Sequence, residues 1–155
     1  MTHGSMSSPE HLTNQEYSRL LAFRAGLRQF LRGSERRAAV AGLTDTQHQL
    51  LLAIRGHPGP DRPSIGEVAG YLDIRHHSVV QLIDRTEQLG LVARNRGQGK
   101  DRRVVRLTLT EAGQEILARL SATHLEELER LVPLISALVD PPAVPRAGEC
   151  LPVRA

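Results

Sequence analysis

The hydrophobic and polar positions of residues 64–110 follow the pattern of a helix, a tight turn, a second helix and two strands. Ser64 and Glu67 have the spacing of a capping box, in which each side chain satisfies a backbone N–H of the other residue, so a helix is predicted to begin here. Leu72-Asp73-Ile74 is the predicted turn. The second helix is predicted over about residues 75–89 and ends at Gly90, the residue best suited to a left-handed C-terminal cap.

The second of these helices is strongly amphipathic. One face of its helical wheel is apolar, with Val79, Leu82, Ile83, Thr86 and Leu89. The opposite face is polar, with His77, Gln81, Asp84, Arg85 and Gln88. An amphipathic helix that follows a short helix and a tight turn is typical of the helix-turn-helix motif, whose second helix enters the major groove of DNA.

Two short strands with a basic connection follow this motif. Residues 91–94 are strand-like, and residues 105–109 alternate apolar with polar side chains, as a half-buried strand does. Six basic residues lie within the thirteen positions 94–106: Arg94, Arg96, Lys100, Arg102, Arg103 and Arg106. A basic hairpin beside a recognition helix is a wing, whose tip lies along phosphates or places an arginine in the minor groove.

Two further capping-box spacings predict helices before this region. Thr13 and Glu16 predict a helix through about Leu31 that ends at Gly33-Ser34, with a loop or a single helical turn over 38–42. Thr44 with Gln47 predicts another helix, which buries Leu50, Leu51 and Ile54 and ends at Gly56. A proline-rich connection, residues 58–63, is predicted to end in the short first strand of a winged helix.

A long helix is predicted after Thr110. Its apolar stripe has near-heptad spacing over Leu117, Leu120, His124, Leu128, Leu131, Ile135 and Leu138. Pro133 interrupts the stripe, so a kink or a break into two helices is expected there. Together with the first helix, this stripe exposes more apolar surface than one small domain needs, and such a surface marks an interface.

Composition limits the class of protein. The hydrophobic content of 40% suffices for a folded core, which must be aliphatic because aromatic residues make up only 3%. The net charge of +3 is too small to indicate a nucleic-acid partner without the clustering described above. No apolar run is long enough to span a membrane, and Cys150 is the single cysteine, so a cytoplasmic protein without a disulfide framework is expected.

The order of several short motifs resembles the MarR (multiple-antibiotic-resistance regulator) family. The motifs are Gly90-Leu91-Val92, Asp101-Arg102-Arg103 and the run from Leu107 to Gly113 (LTLTEAG), preceded by residues 64–69 and 78–85. The resemblance extends over about residues 13–139 and is specific only when the motifs are taken in this order. It implies a mainly α (α+β) fold, a winged helix-turn-helix with N- and C-terminal dimerisation helices.

The resulting domain organisation has five parts: a flexible tail (1–12), an N-terminal dimerisation helix with its connection (13–43), the winged helix-turn-helix (44–110), C-terminal dimerisation helices (111–139) and a disordered tail (140–155). Residues Met1–Ser5 are either native or an addition. The resemblance implies that the terminal helices of two subunits interlock as a homodimer. The predicted dimer contacts are Leu20, Leu27, Leu117, Leu120, Leu128, Leu131 and Ile135.

The candidate DNA-binding residues fall into two groups. On the recognition helix they are Arg75, His76, His77, Ser78, Gln81 and Arg85; on the wing they are Lys100, Arg102 and Arg103. Arg103 matches the family arginine that enters the minor groove, whereas Lys100 and Arg102 are expected on phosphates. Similar proteins hold the wing with an arginine–aspartate pair, which predicts that Asp101 pairs with Arg85 or Arg94.

The histidines and the cysteine admit other interpretations. Adjacent side chains such as His76 and His77 point about 100° apart on a helix, unlike the i,i+4 pair that shares a metal ion, so no metal is expected. If these histidines contact DNA as cations, binding should weaken as the pH rises from about 6 to about 8. Peroxide sensors occur among similar proteins, but Cys150 follows Glu149 in a proline-rich segment, which disfavours a reactive thiolate.

The sequence therefore predicts a homodimeric, non-enzymatic regulator that binds a pseudo-palindromic duplex, without a cofactor. The resemblance implies a repressor controlled by a small aromatic or phenolic effector in a crevice between the dimer helices and the winged helix. The main alternative is a winged-helix module for protein–protein assembly without sequence-specific DNA binding. An enzyme with a helix-turn-helix appendage is disfavoured, because few residues lie outside the elements already assigned.

Overall fold

The structure, a computed structural model, describes residues 11–96 and 103–139. It contains six helices and two strands in this part of the chain: α1 (Asn14–Val40), α2 (Asp45–Arg55), α3 (Ile65–Leu72), α4 (His76–Gln88), β1 (Val92–Arg96), β2 (Val105–Leu109), α5 (Glu111–Glu129) and α6 (Val132–Val139). The predicted mainly helical winged helix-turn-helix is confirmed. None of the helices described is long and apolar enough to cross a membrane.

The three predicted capping boxes are present. Thr44 accepts from the Gln47 amide (3.2 Å) and Ser64 from the Glu67 amide (3.2 Å), and each partner's side chain accepts from the N-cap amide in return. Thr13 and Glu16 make the same reciprocal contacts before α1. Hydrogen bonds from the Ser64 amide and hydroxyl hold the pKa of the Glu67 carboxyl below its usual range, so the box keeps a charged acceptor at the positive end of α3.

The predicted end of α1 at Gly33-Ser34 is wrong, because the helix continues to Val40. Ser34 is buried, and its hydroxyl donates to Asp45 Oδ1 over 3.0 Å, so a residue of α2 satisfies this serine inside the helix. The true stop is Gly42, at φ 79°, where the Leu43 amide donates to Ala38 O (2.9 Å) in a Schellman motif. Tertiary contacts therefore carry the helix past two weak helix formers.

The chain divides into two structural units. One unit spans Phe30–Glu127, and the other comprises the residues up to Gln29 together with those from Leu128. The first contains the winged helix and the main apolar core, which α2, α3, α4 and the two-stranded sheet share with the adjoining parts of α1 and α5. Its fully buried side chains include Leu50, Leu51, Ile83 and Leu107.

The wing is an antiparallel pair in which Val92 faces Leu109 and Arg96 faces Val105. The predicted short first strand is a single bridge between Ser64 and Arg106, next to a 2.9 Å hydrogen bond from the Leu107 amide to Pro63 O. α5 starts directly on this hairpin, because the Thr110 amide donates to Leu91 O over 3.0 Å. The wing and α5 are therefore joined by backbone hydrogen bonds.

In the second unit, α1 packs against α6. Gly26 provides the room for this contact: a Cβ at this position would overlap Leu134 Cδ1 and lie 3.4 Å from Leu131 Cδ2. The break predicted at Pro133 is confirmed, since α5 ends at Glu129 and α6 begins at Val132. Proline is tolerated in this first turn because its missing N–H has no helical partner there.

Three predicted dimer contacts are instead buried within the chain. Leu117 and Leu120 belong to the core around the winged helix, and Leu131 is buried at the start of α6. These leucines therefore have almost no surface to offer a second subunit. The remaining predicted positions are exposed, as are Leu20, Leu128 and Ile135, or partly buried, as is Leu27.

Candidate nucleic-acid interface

Helix α4 separates a buried face from an exposed one. Val79, Leu82, Ile83 and Thr86 are buried against the core. Leu89, predicted on this face, is instead exposed, because the last turn ends before it: Gly90 takes φ 72° and the following Leu91 is buried in its place. A Schellman motif of this kind turns the chain sharply, so the apolar contact passes to the residue after the glycine.

The opposite face carries the predicted recognition residues. Arg75, His76, His77, Gln81 and Arg85 are exposed, and Ser78 is half-buried. Arg75 is the N-cap of the helix, is exposed and makes no side-chain capping bond, so its side chain does not occupy the first-turn amides. A helix N-terminus of this kind attracts anions such as phosphate groups.

The turn before α4 has no glycine. Asp73 adopts a left-handed conformation, at φ 51° and ψ 42°, and its amide donates to the last turn of α3. Aspartate tolerates this region better than most residues because its short side chain bonds locally. The turn directs α4 away from α3 at the position predicted for it.

Arg94 joins the wing to the recognition helix. Its Nη2 lies 2.5 Å from Asp84 Oδ1 and its Nη1 donates to Glu87 Oε2, while its amide donates to Glu87 Oε1 over 3.3 Å. Both acidic partners are on α4 and Arg94 is on β1, so a planar guanidinium spans two elements. The partner predicted for Arg94 or Arg85, Asp101, lies outside the described residues, as do Lys100 and Arg102.

A second arginine of the basic cluster is also used within the protein. Arg106 donates to Arg62 O over 2.8 Å, and its guanidinium lies 3.6 Å from Asp61 and 3.8 Å from Glu67. These contacts fasten β2 to the segment before α3. Of the six basic residues counted in the sequence, Arg94 and Arg106 are therefore structural, whereas Arg96 and Arg103 are exposed on the hairpin.

A cavity of about 510 Å³ lies in the same unit, away from the polar face of α4. It is lined by Arg37, Val40, Ala41, Ile116, Arg119 and Leu120. Apart from Leu120, which was predicted as a dimer contact, the sequence did not point to these residues, because they belong to α1, its C-terminal connection and α5 and only the tertiary structure brings them together. Two guanidinium-bearing side chains around an apolar wall suit a small molecule with an apolar body and a negatively charged group.

Metal binding has no support from the described parts of the chain. Across residues 11–96 and 103–139, no three histidine, cysteine, aspartate or glutamate side chains gather closely enough to hold an ion. His76 and His77 are both exposed on the first turn of α4.

Comparison with known proteins agrees with this architecture. A family model described as the MarR family matches residues 41–103. No match was found among curated proteins.

Solved structures share the fold at low sequence identity. YusO from Bacillus subtilis is 24% identical, with a TM-score of 0.59 over 79% of this chain and 85% of that one. AbsC, a MarR family transcriptional regulator from Streptomyces coelicolor, is 21% identical, with a TM-score of 0.65 over 85% and 94%. MepR from S. aureus, solved as a DNA complex, is 18% identical, with a TM-score of 0.61 over 79% and 85%. The match to the MarR family model over residues 41–103 and the shared fold of the solved structures together show a winged-helix fold that resembles the MarR family.

Proposed function

We propose that this protein binds a pseudo-palindromic DNA operator as a homodimer and represses transcription until a small effector binds. The observation that carries the proposal is the exposed polar face of α4, which has Arg94 holding a basic hairpin beside it. Because α4 buries only its apolar face, the polar side chains on the opposite face are free to enter a major groove. A MepR–DNA complex with the same fold supports this mode of binding.

Each exposed side chain of α4 suits a particular contact. Gln81 offers an amide that pairs with the N6 and N7 edge of adenine, and Arg75 and Arg85 suit guanine or phosphate. His76, His77 and Ser78 lie in the first turn, where recognition helices approach the bases most closely. We assign these six residues to the major groove.

The wing supplies the second set of contacts. Arg103, exposed next to β2, is assigned to the minor groove, and Lys100 and Arg102 to phosphates. Asp101 is assigned to holding the wing in place, alongside the observed contacts of Arg94 with Asp84 and Glu87. Arg96, exposed two residues after Arg94 in β1, is assigned to a further phosphate; the sequence placed it in the basic cluster but not among the DNA-binding residues.

Dimerisation is supported by exposed apolar side chains in the unit that contains α6. Leu20, Leu21, Leu128, Val132, Ile135 and Val139 are all at least 38% exposed. Exposing six apolar side chains to water is unfavourable in free energy, and a second copy of the same surface would cover them. The two α4 helices of such a dimer would occupy successive major grooves of a palindromic duplex, which lie about 34–36 Å apart.

The cavity beside Arg37 and Arg119 is the proposed effector site. Its apolar wall suits an aromatic ring, and the two arginines suit a phenolate or a carboxylate. An effector that binds one conformation of the dimer more tightly would shift the population away from the DNA-binding state.

The decisive variant replaces Arg102 and Arg103 together with alanine. Loss of two phosphate or groove contacts should abolish DNA retardation at physiological salt and reduce the slope of log K against log salt by about 1.8, at about 0.9 per contact. Retardation and filter binding over a salt series measure both effects. Under the rival assembly function, DNA binding would be absent already in the unaltered protein and partner binding would survive the substitution.

A matched control removes the same charge elsewhere. Arg32 and Arg36 are exposed on α1, and replacing both with alanine changes the net charge equally, from +3 to +1. This variant should keep the salt slope of the unaltered protein. An equal loss of binding in both double variants would show that net charge, and not the wing, sets the affinity.

A further inference from the structure

A buried histidine of α2, His48, stacks on a half-buried histidine of α5, His124. The rings of His48 and His124 have centroids 4.7 Å apart and lie within 6° of parallel, and Phe30 of α1 packs against His124 at 5.5 Å. His48 is only 1% exposed. The contact joins residues that are 76 positions apart in the chain, so it forms only when the winged-helix unit is folded.

Several buried polar atoms of this cluster lack hydrogen-bond partners among the described residues. Both ring nitrogens of His48 and Nε2 of His124 are buried and make no hydrogen bond within the described residues, and the same holds for Nε and Nη2 of Arg37. A neutral imidazole buried in this way leaves one N–H donor and one acceptor without a partner. A protonated imidazole carries two N–H donors and a charge, and leaving these unpartnered is much more costly.

The charged groups around the rings give little stabilisation to a protonated imidazole. From α1, Arg37 faces both rings and repels a second cation. Asp45, at the start of α2, already accepts from Ser34, and Glu127 on α5 already pairs with Arg37 at 2.5 Å. The two nearby acids are thus engaged, and the two rings would repel each other face to face if both were charged.

The direction of titration agrees with this geometry. Burial lowers the pKa of His48, and the neighbouring His124 and Arg37 lower it further against the opposing effect of Asp45. Burial also lowers the pKa of His124, with Arg37 the next cause, against Glu127 and Asp45.

We infer that the stacked rings of His48 and His124 are an acid-sensitive latch that holds α2 against α5 and opens when the rings are protonated. The two helices support the elements that we propose contact DNA. Helix α2 packs against α3, α4 and β2, and α5 is joined to the wing by the hydrogen bond from the Thr110 amide to Leu91 O. Opening the latch would loosen the support of both DNA-contacting elements, so operator affinity falls on acidification. This consequence rests on the proposed DNA-binding function.

The expected pH dependence has a definite sign. The pKa of each ring in the folded state lies below the unfolded value of about 6.5. At pH values near and below 6.5, the unfolded chain therefore binds more protons than the folded protein does. The contribution of the two neutral rings to stability is therefore complete above about pH 6.5 and decreases as the pH falls below it. With two protons taken up on unfolding, the unfolding equilibrium constant rises by up to about 100-fold for each unit of pH.

The test compares the unaltered protein with the double variant His48→Phe, His124→Phe, which keeps two stacked rings without titratable nitrogens. Urea unfolding between about pH 7.5 and 5 should show the proton-linked loss of stability in the unaltered protein and lack most of it in the variant. The control His76→Gln, His77→Gln removes two exposed histidines and should keep the loss. An unchanged pH dependence in the phenylalanine variant would overturn the inference.

A second measurement does not depend on the variant folding. NMR titration of the seven histidines in the unaltered protein should show two rings whose pKa lies below about 6.5, identified by their loss in the single variants His48→Gln and His124→Gln. Rings of His48 and His124 that titrate at the ordinary value would refute the latch, whatever the outcome with DNA.

DNA binding at fixed salt supplies the functional readout. Operator affinity of the unaltered protein should fall at least about tenfold from pH 7.5 to 5.5, whereas the phenylalanine variant should retain it. Cationic His76 and His77 on DNA would give the opposite trend, so the sign of the change separates buried from exposed histidines. If no DNA binding is found at pH 7.5, the proposed function fails, while the unfolding and NMR results still decide the latch.

Discussion

Ile135→Arg is expected to convert the proposed dimer to a monomer at micromolar concentration and to weaken operator binding by about 100-fold or more. Ile135 is 45% exposed on α6, in the unit whose apolar surface we propose as the subunit contact. A guanidinium at that position would lose its hydration in the dimer without a partner of opposite charge. A monomer engages one half-site, so it loses the effective concentration that couples two half-sites in a dimer.

Leu52→Arg is the matched control for this substitution. Leu52 is also 45% exposed, but it lies on α2 in the winged-helix unit. Sedimentation and DNA retardation of the two variants should differ, with Leu52→Arg remaining dimeric. A dimeric Ile135→Arg variant with unaltered DNA affinity would place the subunit contact elsewhere or show that none is needed.

Gly113→Ala is expected to destabilise the winged-helix unit by about 3 kcal/mol or more, at the upper end of the cost of overpacking. A Cβ at Gly113 would overlap the carbonyl oxygen of Leu91 and lie 3.0 Å from its carbonyl carbon. These are backbone atoms, which cannot rotate away as a side chain can. The same carbonyl accepts from the Thr110 amide, so the substitution forces the wing and α5 apart.

Gly70→Ala provides the contrast. Gly70 lies inside α3, where an added Cβ would meet nothing within 4 Å. Replacing it should stabilise the protein by about 0.5–1 kcal/mol, because alanine is the better helix former. Urea unfolding monitored by circular dichroism measures both variants. A tolerated Gly113→Ala would show that the first turn of α5 moves away from Leu91 at little cost.

Much of the fold follows from local patterns. The three capping boxes begin helices where their spacing predicts, because each box is closed by residues three positions apart. The buried face of α4 also follows from its own periodicity, since side chains three and four residues apart share a helix face. Leu89 departs from this periodicity because the Gly90 turn ends the helix before it.

The candidate DNA-binding surface was predictable in outline but not in its internal pairing. Charge clustering indicated a basic wing, yet it did not distinguish Arg94 and Arg106, which hold the hairpin to α4 and to the segment before α3, from the exposed Arg96 and Arg103. Whether an arginine is paired depends on acids that other elements bring near it, such as Asp84 and Asp61.

The sequence by itself determined where most helices begin, which face of α4 is buried, that a hairpin follows it and that Pro133 divides the last helical segment, because each depends on neighbours within a few residues. Only the tertiary structure decided that α1 continues through Gly33-Ser34, that Leu117 and Leu120 belong to the core, and that His48 stacks on His124. These outcomes depend on side chains that are distant in the chain and meet only when the helices pack, so no local pattern contains them.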